Sequence, residues 1–536
     1  VTAAPVPGFA GMTISDQLAR HARSTPGAVA LRMDGAERTY GDLDERTDRL
    51  ADALRARGVW EGDRVAVMTF NRLEMVEVFF ACARVGAVCV PINFRLQAEE
   101  VAYQLSDSGA VLAVVEAALA STFERAWKRA PTVRRCLVVG GAGEAAGGME
   151  RREMERYEEA LREAPETASD TAADLFAPAF IMYTSGTTGR PKGAVLTHYN
   201  LFVQTTSRIA HIGLPSDCRC WLISTPLFHI AGLAALLSSV LLGARSVITG
   251  SGRFDPVETL DLLERERVGY TFLVPAQWQA VVDVPGIGDR DLSALRIISW
   301  GAAPATKDLL RRMIETFPGA RLLSVFGQTE TSAVSTVLLG EDALRKIGSV
   351  GTPLLNTEVR IVDERMGDVP RGQVGEIVYR GPSIMRGYWN KPAETADAFA
   401  GGWFHSGDLV RQDEDGYIYV VDRLKDMIIS GGENIYSAEL EEALSGHPKV
   451  AEVAVVGVPD ERWGETPLAV VVPAAANEPP TAEEIERWCR ARLASYKVPR
   501  HLTVVAELPR NASGKVRKHE LRERVRSEAP ETAPNG

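Results

Sequence analysis

Residues 183–193 read YTSGTTGRPKG, with Thr184, Ser185, Thr187 and Thr188 interleaved with Gly186, Gly189 and Gly193 and with the basic Arg190 and Lys192. Glycines let backbone N–H groups turn inward and approach a ligand closely, hydroxyls add donors, and the two cations supply charge. That chemistry suits a polyphosphate. No G-x-x-x-x-G-K-[ST] pattern can be read in the stretch, so it is not a Walker loop. By itself a glycine-rich polar segment is more often a surface turn. A lone carboxylate such as Glu330, a lone lysine such as Lys515 and a lone histidine such as His229 are equally commonplace.

The elements around these residues alternate. YGDLDERTDRLADALRARG puts Leu43, Leu50 and Leu54 on one helical stripe, and RVAVMTFN follows as a buried strand. After the glycine-rich loop, CWLISTP, RSVITG, TFLVPA, LRIISWGAA and RLLSVFGQTE read as strands, with helices at PVETLDLLERE and ATKDLLRRMIETF between them. This is α/β layering, in which ligands bind at the carboxyl ends of strands. GLAALLSSVLLGA, 232–244, is too short to span a bilayer and reads as a buried helix. Residues 141–171 have the composition of a surface insertion, a solvated helix between loops. Near 420 the texture changes to short strand-like runs around a glycine turn. A large domain over 1–421 and a small α+β domain over 422–536 are therefore expected. The small domain includes a helix at TAEEIERWCRARLASY, where Thr481 and Glu484 have capping-box spacing, and the tail SEAPETAPNG is expected to be disordered.

With 536 residues the chain is long enough for two or more domains. Sixty Lys and Arg against 71 Asp and Glu give a formal charge of −11, which argues against broad nucleic-acid binding and requires any anionic ligand to be held locally. The six cysteines are scattered, and only Cys218 and Cys220 lie close, with no histidines to complete a zinc site. A reduced, cytoplasmic compartment is expected. The first thirty residues lack the apolar core of a signal peptide, and no membrane span is expected.

YTSGTTGRPKG resembles the signature phosphate loop of the adenylate-forming superfamily, which includes acyl-CoA synthetases, peptide-synthetase adenylation domains and luciferases. The likeness continues in order through PLFHIAG (226–232), WGAAP (300–304), FGQTE (326–330), WFHSGDL (403–409), DRLKDMIISGGENIYSAELE (422–441) and NASGKVRK (511–518). The resemblance implies that ATP and Mg²⁺ activate a carboxylic acid as its acyl-adenylate, releasing pyrophosphate, before CoA takes the acyl group. Under it, Thr184, Ser185, Gly186, Thr187, Thr188, Gly189 and Lys192 cover the β- and γ-phosphates. Phe326, Gly327, Gln328 and Thr329 face the nucleotide, Phe326 on adenine and Thr329 on the α-phosphate, and Glu330 binds Mg²⁺. Asp408 and Arg423 hold the ribose. Gly301, Ala302 and Ala303 line the nucleotide and acyl site. Lys515 reaches the charge that develops between carboxylate and α-phosphate, and His229 has a positioning or gating role at the mouth of the acyl pocket.

In the same resemblance the small domain rotates about a hinge near Lys425, bringing Gly431 and Gly432 beside a tunnel for the pantetheine arm of CoA. Acyl selectivity falls to His229, Ala231, Ala235, Trp300, Gly301 and Thr331. Small Ala231 and Ala235 leave room, Trp300 limits depth, and the lack of a basic residue in these stretches favours an apolar acid. A medium- or long-chain fatty acid is the first expectation and an aromatic acid the second. Two alternatives stay open: a freestanding adenylating enzyme that loads a carrier protein or activates another oxyanion, and a nucleotide-binding pseudoenzyme. A homodimer is also open.

Overall fold

The computed structural model describes residues 12–141, 154–165, 174–184, 190–303, 305–430, 433–460, 463–511 and 514–528. The chain divides into two compact units, one formed by residues 1–359 with 379–404, the other by 360–378 with 405–536.

The first unit is built on two sheets, each parallel at its centre. In one, the strands Val29–Met33, Arg245–Ile248, Cys220–Ile223, Tyr270–Phe272, Ile297–Gly301 and Arg321–Phe326 run parallel in that spatial order. Antiparallel strands Ala36–Thr39 and Thr336–Leu339 flank them. In the other, Arg64–Met68 lies between Val88–Pro91 and Leu112–Glu116. There Pro178–Thr184 pairs parallel with Val88–Pro91 and antiparallel with Lys192–Thr197.

Local sequence accounts for these elements. Thr39 and Asp42 form a reciprocal cap on the helix Tyr40–Ala56, and Leu43, Leu50 and Leu54 on its inner stripe are fully buried. The apolar stretch after His229 forms the helix Ile230–Leu241, and ten of its twelve residues are buried. On the other side of the Cys220–Gly301 strands, Leu222, Ile298 and Trp300 join Leu260, Trp278, Leu310 and Met313 of three covering helices in one apolar cluster. Burial at roughly 25 cal/mol per Å² of apolar surface makes such two-sided cover the main stabilising term. The six cysteines are free and buried.

The second unit carries the hairpin strands Phe404–Gln412 and Ile418–Arg423. It also has a five-stranded sheet centred on the pair Val450–Asp460 and Gly464–Pro473. The cap on Thr481 forms as expected, but the helix stops at Arg490, and only a 3₁₀ turn, Ser495–Lys497, follows before Pro499. TFLVPA also divides, because Pro275 takes the first turn of the helix Pro275–Val282, where its missing N–H costs nothing. The insertion differs from a solvated helix in its described part: Met154–Arg156 adds a parallel edge strand, and Tyr157 is buried with its hydroxyl donating to Glu77 Oε2 at 2.7 Å. Among the described residues no helix is long and apolar enough to cross a membrane.

Candidate active site

The opening stretch begins and ends in two paired antiparallel strands. Thr184 and Lys192 pair across these strands, Pro178–Thr184 and Lys192–Thr197. Ser185, Gly186, Thr187, Thr188 and Gly189 lie outside the described residues. Thr184 Oγ1 donates to Glu330 Oε1 at 3.2 Å. The same oxygen accepts from Tyr388 Oη at 3.1 Å, and Lys192 Nζ lies 5.1 Å from the centre of the Tyr388 ring. Burial and the neighbouring Glu330 carboxylate push the Tyr388 phenol well up, so it stays a hydrogen-bond donor. Glu330 is 7% exposed, and its main-chain carbonyl accepts from Met385 N at 2.8 Å. Its Oε2 accepts from no described residue, which suits a hard cation. Among the described residues no cluster of three or more His, Cys, Asp or Glu could hold a metal alone. One carboxylate sharing Mg²⁺ with substrate phosphates is the pattern that fits.

The chain bends hard around this carboxylate. Phe326 ends its strand half-buried, and a Cβ on Gly327 would lie 2.2 Å from Ala333 O. Gln328 N donates to Thr331 Oγ1 at 3.2 Å, and Thr331 Oγ1 donates to Gln328 O at 3.0 Å, so Thr329, Glu330 and Thr331 form a locked 3₁₀ turn. Ser332 at φ 56° and Ala333 at φ 103° follow in left-handed conformations. A third non-glycine residue of this kind, Ala302 at φ 65°, follows Gly301 on the neighbouring strand. Such backbone collects where a fixed geometry is required and costs of order 1–3 kcal/mol per residue.

Gly301 marks a close approach. A Cβ there would meet Val325 O at 2.4 Å and the Phe272 ring at 3.2 Å. Strand alternation sends Trp300 to the opposite side, 4% exposed among Trp278, Leu309, Leu310 and Met313, in a cluster that contains no residue of the helix Ile230–Leu241. The structure places the Trp300 indole in this core. His229 is exposed and caps that helix, Nδ1 accepting from Ala231 N at 3.3 Å, which leaves the ring proton on Nε2. Ala235 is buried in the helix and Ala231 half-buried beside the cap.

Phe228, which precedes His229 in the chain, is one of three half-buried rings that meet edge to face. Phe94 lies 4.8 Å from Phe70 and 5.5 Å from Phe228, centre to centre. Each follows the carboxyl end of a parallel strand. Asn71, 2% exposed, ties the two sheets together beneath them. Its Oδ1 accepts from Leu227 N at 2.8 Å, and its Nδ2 donates to Thr225 O at 3.3 Å and Thr249 O at 3.1 Å.

In the second unit Asp408 and Arg423 are cross-strand partners, with Arg423 Nε 2.6 Å from Asp408 Oδ1. Asp408 is 2% exposed and its backbone N donates to Ser406 Oγ at 3.0 Å. Lys515 is exposed on a tight hairpin: Asn511 N donates to Lys515 O at 2.8 Å, and Lys515 N donates to Asn511 Oδ1 at 2.9 Å. Lys425 occupies the turn after Arg423, and its carbonyl accepts from Arg522 at 3.3 Å. Gly431 and Gly432 lie outside the described residues.

Residues 18–389 match the AMP-binding enzyme family, and 439–515 match the AMP-binding enzyme C-terminal domain. The chain belongs to the adenylate-forming AMP-binding enzymes. Its class is that of the AMP-forming acid–CoA ligases. It is 43% identical to a feruloyl-CoA synthase from an Amycolatopsis species over 505 residues, covering 94% of this chain and 97% of that one. A long-chain-fatty-acid–CoA ligase, FadD13 of Mycobacterium tuberculosis, is 37% identical over 92% of this chain and 94% of its own. The solved o-succinylbenzoate CoA synthetase of Bacillus subtilis, in complex with ATP and magnesium ion, superposes with a TM-score of 0.82 at 33% identity, covering 94% of this chain and 98% of that one.

Tyr388 and Asn71 cannot be picked out from the sequence. Tyr388 is 58 residues from the glutamate it touches, and Asn71 contacts loops more than 150 residues away. A tyrosine beside a glycine and an asparagine after a strand carry no local signal of such partners.

Proposed function

We propose that the protein is an ATP-dependent carboxylic acid:CoA ligase that acts on an aromatic acid. In the first step the acid's carboxylate oxygen attacks the α-phosphorus of ATP, the bond to the bridging oxygen of the β-phosphate breaks, and pyrophosphate leaves with its electron pair. In the second, the CoA thiol loses its proton and its sulfur attacks the acyl carbon, releasing AMP. Bound Mg²⁺ offsets phosphate charge, and Glu330 is the residue that would hold it. Thr184 and Tyr388 fix one oxygen of that carboxylate and so direct the other. Lys192 and the segment from Ser185 to Gly189 hold the terminal phosphates, and Phe326, Gly327, Gln328 and Thr329 hold the adenosine and α-phosphate end with Gly301, Ala302 and Ala303. Asp408 and Arg423, already paired, receive the ribose hydroxyls.

Lys515 supplies positive charge to the pentavalent phosphorus, and no protein nucleophile is needed. We assign the turn at Lys425 as a hinge that withdraws Lys515 once the adenylate has formed and brings Gly431 and Gly432 to the CoA arm.

The observation that carries the acid class is the edge-to-face trio Phe70, Phe94 and Phe228. Rings arranged this way favour another flat ring over a flexible alkyl chain, which loses more conformational freedom on binding. The 43% identity to a feruloyl-CoA synthase and 38% identity to an indoleacetate–CoA ligase point the same way. The reading is tested by ATP–pyrophosphate exchange with ferulic acid in the absence of CoA, followed by mass detection of the thioester when CoA is added. Exchange without a thioester would move the protein to the carrier-loading class. No exchange with any aromatic acid would overturn the assignment.

A further inference from the structure

At the opposite end of the same parallel strands is a cavity of about 530 Å³ that the ligase chemistry does not use. Its lining includes Arg219, Arg245, Arg267 and Arg296, with Asp217 and Glu266 as its carboxylates. Cys220, Arg245 and Ile297 begin strands there, whereas His229, Gly301 and Phe326 lie at or beyond the strands' carboxyl ends. Four or five residues at about 3.3 Å each separate the two ends by roughly 15 Å.

The charges do not cancel. Asp217 accepts from Arg296 Nε at 2.9 Å. Glu266, 4% exposed, is shared by Arg32 at 2.6 Å, Arg265 at 3.2 Å and Arg245 at 3.6 Å. Arg219 donates only to carbonyl oxygens, Ser216 O at 2.8 Å and Leu242 O at 3.2 Å, and makes no ion pair with any described residue. Arg245 Nε is buried with no hydrogen-bond partner among the described residues. Arg267 stands at φ 51°, left-handed, just after the helix Pro256–Arg265, where glycine is the unstrained choice, and its guanidinium pairs with Asp291, outside the lining, at 3.3 Å. Arg219 without a carboxylate, and three arginines converging on the single Glu266, leave a positive excess at the cavity in a chain of formal charge −11.

We propose that this cavity binds a phosphomonoester of a small organic molecule. Guanidinium forks match phosphate oxygens two at a time. A volume within the roughly 300–1,000 Å³ of small-molecule sites leaves room for an organic part beyond the phosphate. The site is independent of the ATP site and of the acid assigned above.

The test is calorimetric titration of the full chain with glycerol 3-phosphate, inorganic phosphate and glycerol, repeated on Arg219→Gln/Arg267→Gly and on Lys192→Ala. Glycerol 3-phosphate should bind more tightly than phosphate, and glycerol not at all. The double variant should weaken binding about tenfold or more, the loss of about 1.4 kcal/mol, while its ATP KM holds. Lys192→Ala should bind as the wild type does. Arg267→Gly alone should raise Tm while lowering affinity, because it relieves the backbone strain and removes one guanidinium from the phosphate. Equal affinity in the double variant, or weaker binding by Lys192→Ala, would place binding elsewhere and overturn the proposal. Phosphate binding as tight as glycerol 3-phosphate would reduce the site to an inorganic-anion site and refute the organic ligand. Capture by phosphatidylglycerol vesicles without binding of the free ester would refute it in favour of a lipid surface.

Discussion

Glu330 and Lys515 are both charged residues within motifs, and the fold treats them oppositely. Glu330 is buried, with one carboxylate oxygen bonded from Thr184 and Tyr388 and its carbonyl bonded from Met385, so two distant segments fix it. Lys515 is exposed, its main chain bonded across its own hairpin to Asn511, four residues away. The difference matches the roles proposed above: the group proposed to hold the metal is built into the walls, and the group proposed to come and go is carried on a local turn.

Breaking the comparison at Lys515 should give the largest effect. Lys515→Ala is expected to lower acid-dependent pyrophosphate release by about a thousandfold, the scale of losing a charge aimed at the transition state. Conversion of preformed acyl-AMP and CoA to thioester should be nearly unchanged, and Tm should not move. Stopped-flow assays of the two half-reactions check this; equal loss in both would remove the lysine from its first-step role. Glu330→Gln comes next. It keeps shape and removes charge, so adenylation should fall about a hundredfold at ordinary Mg²⁺ and recover in part at higher Mg²⁺. A Mg²⁺ titration with the same midpoint as wild type would count against the assignment.

Asn71→Ala sharpens the positional side. It orphans Leu227 N and two carbonyls in a buried tie, at about 1–3 kcal/mol. A lower Tm should accompany a kcat/KM for the acid reduced about tenfold, with ATP KM unchanged; a Tm loss without the acid effect would make Asn71 purely structural. Tyr388→Phe should be mildest. It removes one hydroxyl from a carboxylate that keeps Thr184, which predicts an adenylation rate about fivefold lower, near 1 kcal/mol. A full loss of activity would show the phenol itself to be chemical.

Legibility followed the range of the interactions. The Thr481–Glu484 cap and the Leu43–Leu50–Leu54 stripe rest on neighbours in sequence and could be named from the chain, whereas Asp408 and Arg423 are named through the family resemblance and their pairing across one hairpin is not. Tyr388 and Asn71 act on segments 58 and more than 150 residues away, and nothing local encodes that. Trp300 shows a subtler failure. Its motif position suggested the substrate, but strand alternation gives Gly301 to the Phe272 side and sends the indole into the core. Helix ends were also blurred, since TAEEIERWCRARLASY keeps helical composition beyond Arg490, where the helix ends.

The claim that the acid is aromatic is tested most directly by competition. The protein, ATP and CoA are given equal concentrations of ferulic acid and a medium- or long-chain fatty acid, and the two thioesters are counted by mass spectrometry. Feruloyl-CoA in at least about tenfold excess, a discrimination of roughly 1.4 kcal/mol, is the expected result. Phe94→Leu should narrow that ratio by removing the central ring of the trio. A fatty acyl-CoA in excess from the wild-type protein would contradict the account.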